Sequence, residues 1–237
     1  MSLNKETIIK RKSIRSYDFE PLSTDMLDKI KNIISEIKPL YNELSHFEIV
    51  SKKEYFQITQ GPFRVSAPYY LACYSLSEPQ ALVNLGYLVE LIVLKLTDLD
   101  LGTVILGTNS KAKYNDLDFQ VGIAFGTPKE EFRKDIKDAK RRNLNEIFKG
   151  DVLDIAPFIN VAPSALNLQP ILFEVNKNEI DVYRIRKLNL MKALDLIQYL
   201  DVGIAISHFN LVNFKIEDRK KTNEKNKTYI TTIILEI

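Results

Sequence analysis

The sequence has almost none of the residues from which proteins build disulfides, zinc sites or histidine-based catalysis. Cys73 is the single cysteine, which excludes an internal disulfide framework and a cysteine-based structural zinc site. The two histidines, His46 and His208, are too few for a histidine-rich metal site, and no catalytic signature surrounds either one. We therefore expect no metal centre and interpret both histidines as structural residues.

Glycine is also scarce. The eight glycines never form GxGxxG or GxxxxGK[ST], the fingerprints of Rossmann and P-loop nucleotide sites. The GxSxG elbow and the HExxH helix are absent as well. If the protein is an enzyme, we expect its chemistry to come from a bound cofactor.

An excess of one charge and long apolar runs are both lacking. Lys plus Arg number 33 against 31 Asp plus Glu, and the formal charge of +2 indicates neither a nucleic acid nor a membrane as partner. The most apolar stretch, 81–96, is interrupted by Asn84, Glu90 and Lys95. A bilayer span needs ~20 mostly apolar residues, so this stretch predicts a buried helix. The N-terminus lacks the apolar core of a signal peptide, and we expect a cytoplasmic protein.

The 237 residues suffice for one large domain, and the order of elements predicts an α+β protein. Helical spacing of apolar residues predicts helices over 24–38, 84–96 and about 191–209. Six segments have the composition of β-strands and are predicted as such: 46–52, 67–75, 103–107, 118–126, 171–185 (a pair of strands) and 229–237. The segment 129–150 is predicted to be charged and exposed, and 217–227 to be a loop.

The chain contains a weak internal repeat. NLGYLVELIVL, which begins at Asn84, resembles DVGIAISHFNL, which begins at Asp201, since each opens with a polar residue, an apolar one and glycine. The strands HFEIV and LFEV are also similar. Taken alone, these similarities are as consistent with chance as with duplication.

The first motif with binding potential is RKSIRSY. Arg11 and Arg15 are four residues apart, so on a helix they would share a face with Ser13 alongside. Two guanidinium groups and a hydroxyl suit a doubly charged phosphate. The alternative is that these residues form an ordinary solvated basic surface. When this motif is considered alone, that alternative is favoured.

The second motif is APSALNLQP, which carries Ser164, Asn167 and Gln169 between two prolines. Amide side chains both donate and accept hydrogen bonds, which suits a heterocycle edge or ribityl hydroxyls. The alternative is a helix N-terminus. That alternative explains the prolines and Ser164, but not the two amides in an otherwise apolar stretch.

RKSIRSY followed much later by APSALNLQP resembles the FMN-dependent nitroreductases. Their chains begin with an Arg-x-Ser-x-Arg/Lys-x-aromatic motif and carry an Ala-Pro-Ser-x-x-Asn-x-Gln-Pro segment. The segments APYYLACYS, LDLGTVILG, VGIAFGTP and AKRRNLNEIF resemble other family segments in the family's order. The chain departs from the family in two respects: the Asn-Gln-Pro segment comes late, and Ile171 stands where the family usually has an aromatic residue.

The resemblance implies an α+β, nitroreductase-like fold, with a central, mainly antiparallel sheet flanked by helices in a single domain, 1–237. Together with the internal repeat, the late Asn-Gln-Pro segment suggests two fused halves, about 1–150 and 151–237. The family is an obligate dimer with FMN between its subunits. A fused chain could build one composite FMN site as an internal pseudo-dimer, so a monomer and a homodimer both stay open.

The resemblance also implies the cofactor contacts. Arg11 and Ser13 would contact the phosphate or ribityl chain of FMN, and Arg15 would lie near the pyrimidine edge of the flavin. Two of the three basic residues at 140–142 would form a second phosphate-binding pair, unless they are only a solvated charge run. The implied cofactor-binding residues are Arg11, Ser13, Arg15, Gly102, Thr103, Lys140, Arg141, Arg142, Pro163, Ser164, Asn167 and Gln169.

The function implied by the resemblance is electron transfer from NAD(P)H through FMN to a small-molecule acceptor, a nitroaromatic, a quinone or a similar compound. No side chain need be catalytic, because N5 of the flavin carries the hydride. The alternative is a flavin-binding or degenerate module without turnover, used for sensing or storage. Bleaching of a bound flavin by NADH or NADPH would distinguish the two.

Overall fold

The computed structural model describes residues 3–60, 64–107, 109–186 and 192–236. The helices within these ranges are α1 (Lys5–Lys10), α2 (Thr24–Glu36), α3 (Lys52–Ile58), α4 (Pro79–Asp98), α5 (Leu144–Ile147), α6 (Ala156–Asn160) and α7 (Lys192–Ser207). The strands are β1 (Ser45–Ser51), β2 (Thr59–Gln60), β3 (Tyr69–Ser75), β4 (Gly102–Leu106), β5 (Asn109–Ser110), β6 (Lys113–Tyr114), β7 (Leu117–Gly126), β8 (Phe148–Gly150), β9 (Ile171–Asn176), β10 (Glu179–Ile185), β11 (Phe214–Glu217) and β12 (Lys227–Leu235).

The described strands form two five-stranded sheets and a two-stranded ribbon. The first sheet has the order β1-β3-β7-β4, with β6 also paired to β7, and the second has the order β11-β12-β10-β9-β8. Every strand pair is antiparallel except β8 with β9. The predicted α+β class with mainly antiparallel pairing is therefore confirmed. The strands are divided between two sheets, where the sequence analysis expected one central sheet.

Helices α4 and α7 join the two sheets through one core. Helix α4 packs on β3 and β4 of the first sheet, α7 packs on β10 of the second, and the two helices pack on each other. Helix α4 is long and apolar enough to cross a membrane, but 83% of its most apolar window is buried inside the protein. The prediction of a buried helix is confirmed, since α4 is covered by protein on most sides.

The contact between α4 and α7 is a reciprocal backbone contact. A Cβ atom on Gly86 would lie 2.0 Å from the Leu200 carbonyl oxygen, and one on Gly203 would lie 1.9 Å from the Val83 carbonyl oxygen. Each glycine therefore faces the carbonyl of the residue three positions before the other glycine. Gly86 and Gly203 are also the glycines that correspond in the internal repeat, so the two copies of the repeat contact each other at matching positions.

RKSIRSY does not lie on a helix, so the condition under which its arginines would share a face is not met. Helix α1 ends at Lys10, and beyond it Ser13 forms a parallel bridge with Thr103 of β4. The Ile14 N–H donates to the Thr103 carbonyl at 2.9 Å, and the Ile14 side chain is fully buried. Hydrogen bonding to the free edge of β4 and burial of Ile14 outweigh the helical spacing of the arginines. Arg11 and Arg15 therefore do not share a helix face.

The remaining elements follow the predictions with local differences. Ser23 caps α2, since its Oγ accepts the Met26 N–H at 3.2 Å. Helix α7 continues into a 3-10 turn, His208–Leu211, and the predicted start of this helix near 191 lies outside the described residues. The sequence analysis missed the short elements α1, α3, α5, α6, β2, β5, β6, β8 and β11. The prediction that the segment 129–150 is exposed is wrong in part, because Ile147 is buried and Phe148 packs against the core. Strand β12 overlaps the segment predicted at 229–237 but begins two residues earlier, and it lies between β11 and β10 in the second sheet.

Candidate functional site

A buried ion pair, between Arg11 and Glu90 of α4, lies at the centre of a group of arginines. Arg11 is 3% exposed and Glu90 0%, and Arg11 Nε lies 3.4 Å from Glu90 Oε1. The same carboxylate oxygen lies 3.1 Å from Nε2 of His208. Burial, and after it the positive charge of Arg11, lowers the pKa of Arg133 and of Arg141 to about 10, while the negative charge of Glu90 opposes the shift. The buried carboxylate of Glu90 thus contacts Arg11 and also acts electrostatically on Arg133 and Arg141, so positive charge predominates around it.

Several donors of this cluster have no acceptor. Arg11 Nε and Nη2 and Arg141 Nε are buried without a hydrogen-bond partner in the described part of the chain. Although Arg11 Nε is within ion-pair distance of Glu90, it forms no hydrogen bond with that carboxylate. Buried unpaired donors are costly, and an anion with several oxygens would satisfy them. The residues present therefore fit a bound phosphate group.

Arg133 supports this cluster by closing the end of α1. Its Nε donates to the Ile9 carbonyl and its Nη2 to the Ile8 carbonyl, both at 2.7 Å. These carbonyls lack partners within the helix because they belong to its last turn. Arg11 follows directly and donates its backbone N–H to Thr7. Since its donors are engaged by α1, Arg133 fixes the backbone that presents Arg11.

A strained turn lies on the other side of the cluster. It spans 164–169, and Leu166, Asn167 and Gln169 adopt left-handed backbone conformations with φ of 51°, 56° and 47°. Such conformations cost about 1–3 kcal/mol each in non-glycine residues and are concentrated at functional sites. The turn is closed by the Gln169 N–H, which donates to Ser164 Oγ at 2.9 Å. Leu166 is left 70% exposed at its tip.

The two amides of this turn bind the basic segment 140–142. Asn167 Oδ1 accepts from Arg141 Nη1 at 3.1 Å, and Asn167 Nδ2 donates to the Lys140 carbonyl at 3.2 Å. Gln169 Oε1 accepts the backbone N–H of Arg142 at 2.9 Å. Arg141 therefore binds the turn through a hydrogen bond and interacts electrostatically with Arg11 and Glu90.

The structure brings together only part of the basic run. The Arg141 guanidinium donates to Asn167 and Val161 and its charge interacts with those of Arg11 and Glu90. By contrast, the Arg142 guanidinium pairs with Glu146 at 3.0 Å and the Lys140 side chain is exposed. Lys140 and Arg142 thus take part through their backbones. The predicted second phosphate-binding pair consequently has one side chain in the site, that of Arg141.

The other predicted residues lie around the start of β4. Ser13 is bridged to the buried Thr103, whose Oγ1 has no hydrogen-bond partner in the described residues. At Gly102 a Cβ would lie 2.8 Å from the Ile14 side chain, so only glycine permits this close approach. Arg15 is exposed, and its backbone N–H donates to Glu130 at 2.8 Å. Pro163 lines a small cavity together with Ser164 and Gln169.

Sequence reasoning missed Glu90 as a partner of Arg11, as well as Arg133 and Asp201. Glu90 and Asp201 each carried a signal, because a carboxylate inside an apolar helix must find a partner or change its protonation state. Arg133 carried none, since it lies in a segment that is charged throughout. His208 was interpreted as structural, and the structure has it buried, with Nδ1 2.7 Å from the Phe158 carbonyl oxygen.

Fold and site together define an α+β protein with mainly antiparallel sheets and a buried, net positive cluster suited to an anionic group. The sequence profile of the family described as "Putative TM nitroreductase" matches residues 4–213, and the chain belongs to this family.

Solved structures of nitroreductase family proteins are similar to this chain in fold. A "putative nitroreductase" from Thermotoga maritima is similar over 99% of this chain and 95% of its own, at a TM-score of 0.69 and 22% identity. Nitroreductase family proteins from Clostridium difficile and Streptococcus pneumoniae align with 64% and 62% of this chain and with 99% and 98% of their own. Their TM-scores are 0.52 and 0.51, at 15% and 16% identity. A comparison with curated proteins finds no match. The predicted nitroreductase-like fold is confirmed.

Proposed function

We propose that the protein is an FMN-dependent oxidoreductase that passes electrons from NAD(P)H to a nitroaromatic, a quinone or a similar small-molecule acceptor. Membership of the nitroreductase family indicates an oxidoreductase. The observation that supports the cofactor is the set of buried guanidinium donors on Arg11 and Arg141 that lack acceptors in the described residues. A phosphate monoester supplies three acceptor oxygens and a charge close to −2.

The chain's own residues would bind and orient this cofactor. Arg11 and Arg141 would hold the phosphate, and the buried Thr103 hydroxyl, which has no hydrogen-bond partner among the described residues, would offer a further polar contact. Asn167 and Ser164 would offer polar contacts from the strained turn. When bound, FMN would supply hydride chemistry, so no side chain has to act as an acid or a base. We further propose a cytoplasmic protein that acts without nucleic acid or membrane as partner.

One observation favours a flavin-binding module without turnover as a second candidate. Arg11 is 3% exposed and sits against a carboxylate that is also buried. An arginine this deep can serve a structural ion pair, in which case a flavin would be bound weakly or used for sensing or storage. The two candidates differ in whether reduced nicotinamide reduces the bound flavin.

The visible spectrum of the purified protein tests both candidates. We expect the protein to bind about one FMN per chain, because the site offers a phosphate cradle and the sequence has no fingerprint for an adenylate. NADH or NADPH added in the absence of oxygen should then bleach the visible absorbance of the bound flavin. Protein that gains no flavin absorbance with excess FMN would contradict the proposal, and a stable yellow protein inert to both nicotinamides would favour the module.

We also propose that the chain is two fused nitroreductase halves with one composite site. The reciprocal contact of Gly86 and Gly203 supports a two-fold relation between the halves. The site draws Arg11 and Arg141 from residues 1–150 and Asn167 from residues 151–237, in agreement with an internal pseudo-dimer. Under this proposal the chain needs no second copy to complete its site.

The substitutions Arg11→Ala and Asn167→Ala should each weaken FMN binding in a protein shown to be monomeric by light scattering. Loss of a charge-assisted contact to phosphate amounts to roughly 1.5–3 kcal/mol, which is about tenfold or more in affinity for Arg11→Ala. Glu90 should keep its contact with Nε2 of His208 at 3.1 Å in this variant, and circular dichroism must show that the variant is folded before its affinity is compared, because Arg11 and Glu90 form a buried pair. Mixing the two variants should restore no binding, since every chain keeps its own defect.

Arg219→Ala is the matched control for this experiment. Arg219 pairs with Glu179 at 2.7 Å and with Glu217 at 2.9 Å, both in the second sheet, so its loss should leave FMN affinity unchanged. Recovery of binding in the mixture under subunit-exchange conditions would refute the composite site within one chain. Unchanged affinity in folded Arg11→Ala would refute the phosphate contact.

A further inference from the structure

The turn that carries Asn167 and Gln169 is held by a buried carboxylate, Asp201 of α7. Asp201 is 4% exposed, and its Oδ1 accepts the Ala165 N–H at 2.9 Å. Its Oδ2 is buried without a hydrogen-bond partner in the described part of the chain. The carboxylate also lines a cavity of about 20 Å³ together with Ser164 and Gln169.

The turn depends on such support because its backbone is strained. Three left-handed non-glycine residues persist only where the surrounding structure fixes them. The turn's own bonds, from the N–H groups of Asn167 and Gln169 to Ser164, close it but do not attach it to the rest of the protein. The Asp201–Ala165 bond attaches the start of the turn to α7, a helix of the core.

We propose that Asp201 is a positioning residue whose charge state sets how firmly the turn is held and, through Asn167, how tightly the site binds FMN. The part of this inference that concerns FMN rests on the proposed function. An ionised carboxylate accepts a backbone N–H more strongly than a protonated one does. The ionised form therefore favours the ordered turn and the placement of Asn167 beside Arg141.

The charge of Asp201 changes near neutral pH. Burial raises the pKa of Asp201 to about 7, and the hydrogen bond from Ala165 opposes this rise. The hydrogen bond from Ala165 stabilises the ionised form of Asp201. Because coupling between two equilibria is reciprocal, ionisation of Asp201 strengthens this hydrogen bond in turn. The turn should accordingly tighten as the pH rises through this range.

Other charged groups on the neighbouring elements have partners of their own. The ion pairs on α4, α5 and β10 and at the end of α7 are Arg11–Glu90, His208–Glu90, Arg142–Glu146 and Arg184–Asp195. Among the described residues that line the cavity, Asp201 is the sole titratable side chain. Its ionisation is thus governed by burial and by Ala165, without a competing salt bridge.

The first test needs no flavin. In two-dimensional ¹H–¹⁵N NMR of the wild-type chain, the Ala165 amide should shift downfield with a midpoint near pH 7. Asp201→Asn should abolish this step, because an amide side chain does not titrate. Asp151→Asn is the matched control, since Asp151 is an exposed carboxylate that accepts the Lys177 N–H at 2.7 Å, and it should leave the Ala165 step intact.

The second test measures FMN affinity by flavin fluorescence at pH 6 and pH 8. The dissociation constant at pH 6 divided by that at pH 8 should be about fivefold larger in wild type than in Asp201→Asn. This factor corresponds to the difference in strength between a charge-assisted and a neutral hydrogen bond. Titration of the FMN phosphate, near pH 6, is common to both proteins and cancels in this comparison. Asp201→Asn should bind FMN as wild type does at the lower pH.

A wild-type Ala165 amide that does not respond to pH would overturn the inference, and this measurement requires no variant to fold. Equal pH dependence of FMN affinity in wild type and Asp201→Asn would overturn the link from the turn to the site. If Ala165 titrates as expected but no protein binds FMN, the proposed cofactor is wrong, while the role of Asp201 on the turn is supported.

Discussion

Replacing Gly203 by alanine should destabilise the protein by about 3 kcal/mol or more. The new Cβ would lie 1.9 Å from the Val83 carbonyl oxygen, and a backbone atom inside a core helix cannot move aside as a flexible side chain can. In an unobstructed helix the same substitution would stabilise by about 1 kcal/mol, because alanine favours the helix more than glycine does. Backbone contact between α4 and α7 therefore reverses the sign of the effect.

Urea unfolding followed by circular dichroism measures this change. Gly86→Ala should show a comparable loss, because its Cβ would meet the Leu200 carbonyl oxygen at 2.0 Å. Gly107→Ala is the control, since a Cβ there meets nothing within 4 Å, and it should change stability by less than about 0.5 kcal/mol. A mild effect at only one of Gly86 and Gly203 would contradict the reciprocal contact on which the pseudo-dimer rests.

Asp201→Asn should alter the pH dependence of stability by roughly 4 kcal/mol between about pH 4 and pH 8. The folded protein raises the pKa of Asp201 from 3.8 to about 7, mainly by burial. The unfolded chain therefore loses its proton first as the pH rises. The stability contributed by the protonated group is fully present below pH 4 and is lost as the pH rises through 7.

Wild type should consequently lose stability relative to Asp201→Asn as the pH rises, and the variant should be relatively most stable at pH 8. Carboxylates such as Asp118 and Glu179, whose pKa is lowered by hydrogen bonds to Lys113 and Arg219, give the opposite slope. These carboxylates are present in both proteins, so their effect cancels in the difference in stability between wild type and Asp201→Asn. Urea midpoints at five pH values measure this difference. Parallel stability curves of the two proteins would show that Asp201 is ionised throughout the pH range.

The same substitution separates stability from binding. Asp201→Asn should gain relative stability above pH 7 and yet lose the pH-dependent part of its FMN affinity. A buried carboxylate that costs stability in order to hold a strained turn is a common compromise at functional sites. A variant that gained or lost both properties together would indicate that the turn responds only to overall stability.

The sequence by itself determined the α+β class, the buried character of α4 and the two motifs that indicate the family. These features depend on local pattern: the period of apolar residues, the aromatic and β-branched residues of β3 and β7, and the order of short segments along the chain. The repeat around Gly86 and Gly203 can also be recognised in the sequence. The contact between its two glycine positions cannot, because it joins residues more than a hundred positions apart.

Only the tertiary structure decided where the candidate site residues lie. RKSIRSY has helical charge spacing, but the open edge of β4 and the burial of Ile14 draw it into an extended conformation. Arg11 then reaches Glu90, and Arg141 rather than its basic neighbours turns inward to Asn167. Burial and long-range hydrogen bonds determine which of several similar side chains enters the site. Both arise only after distant segments of the chain have packed together.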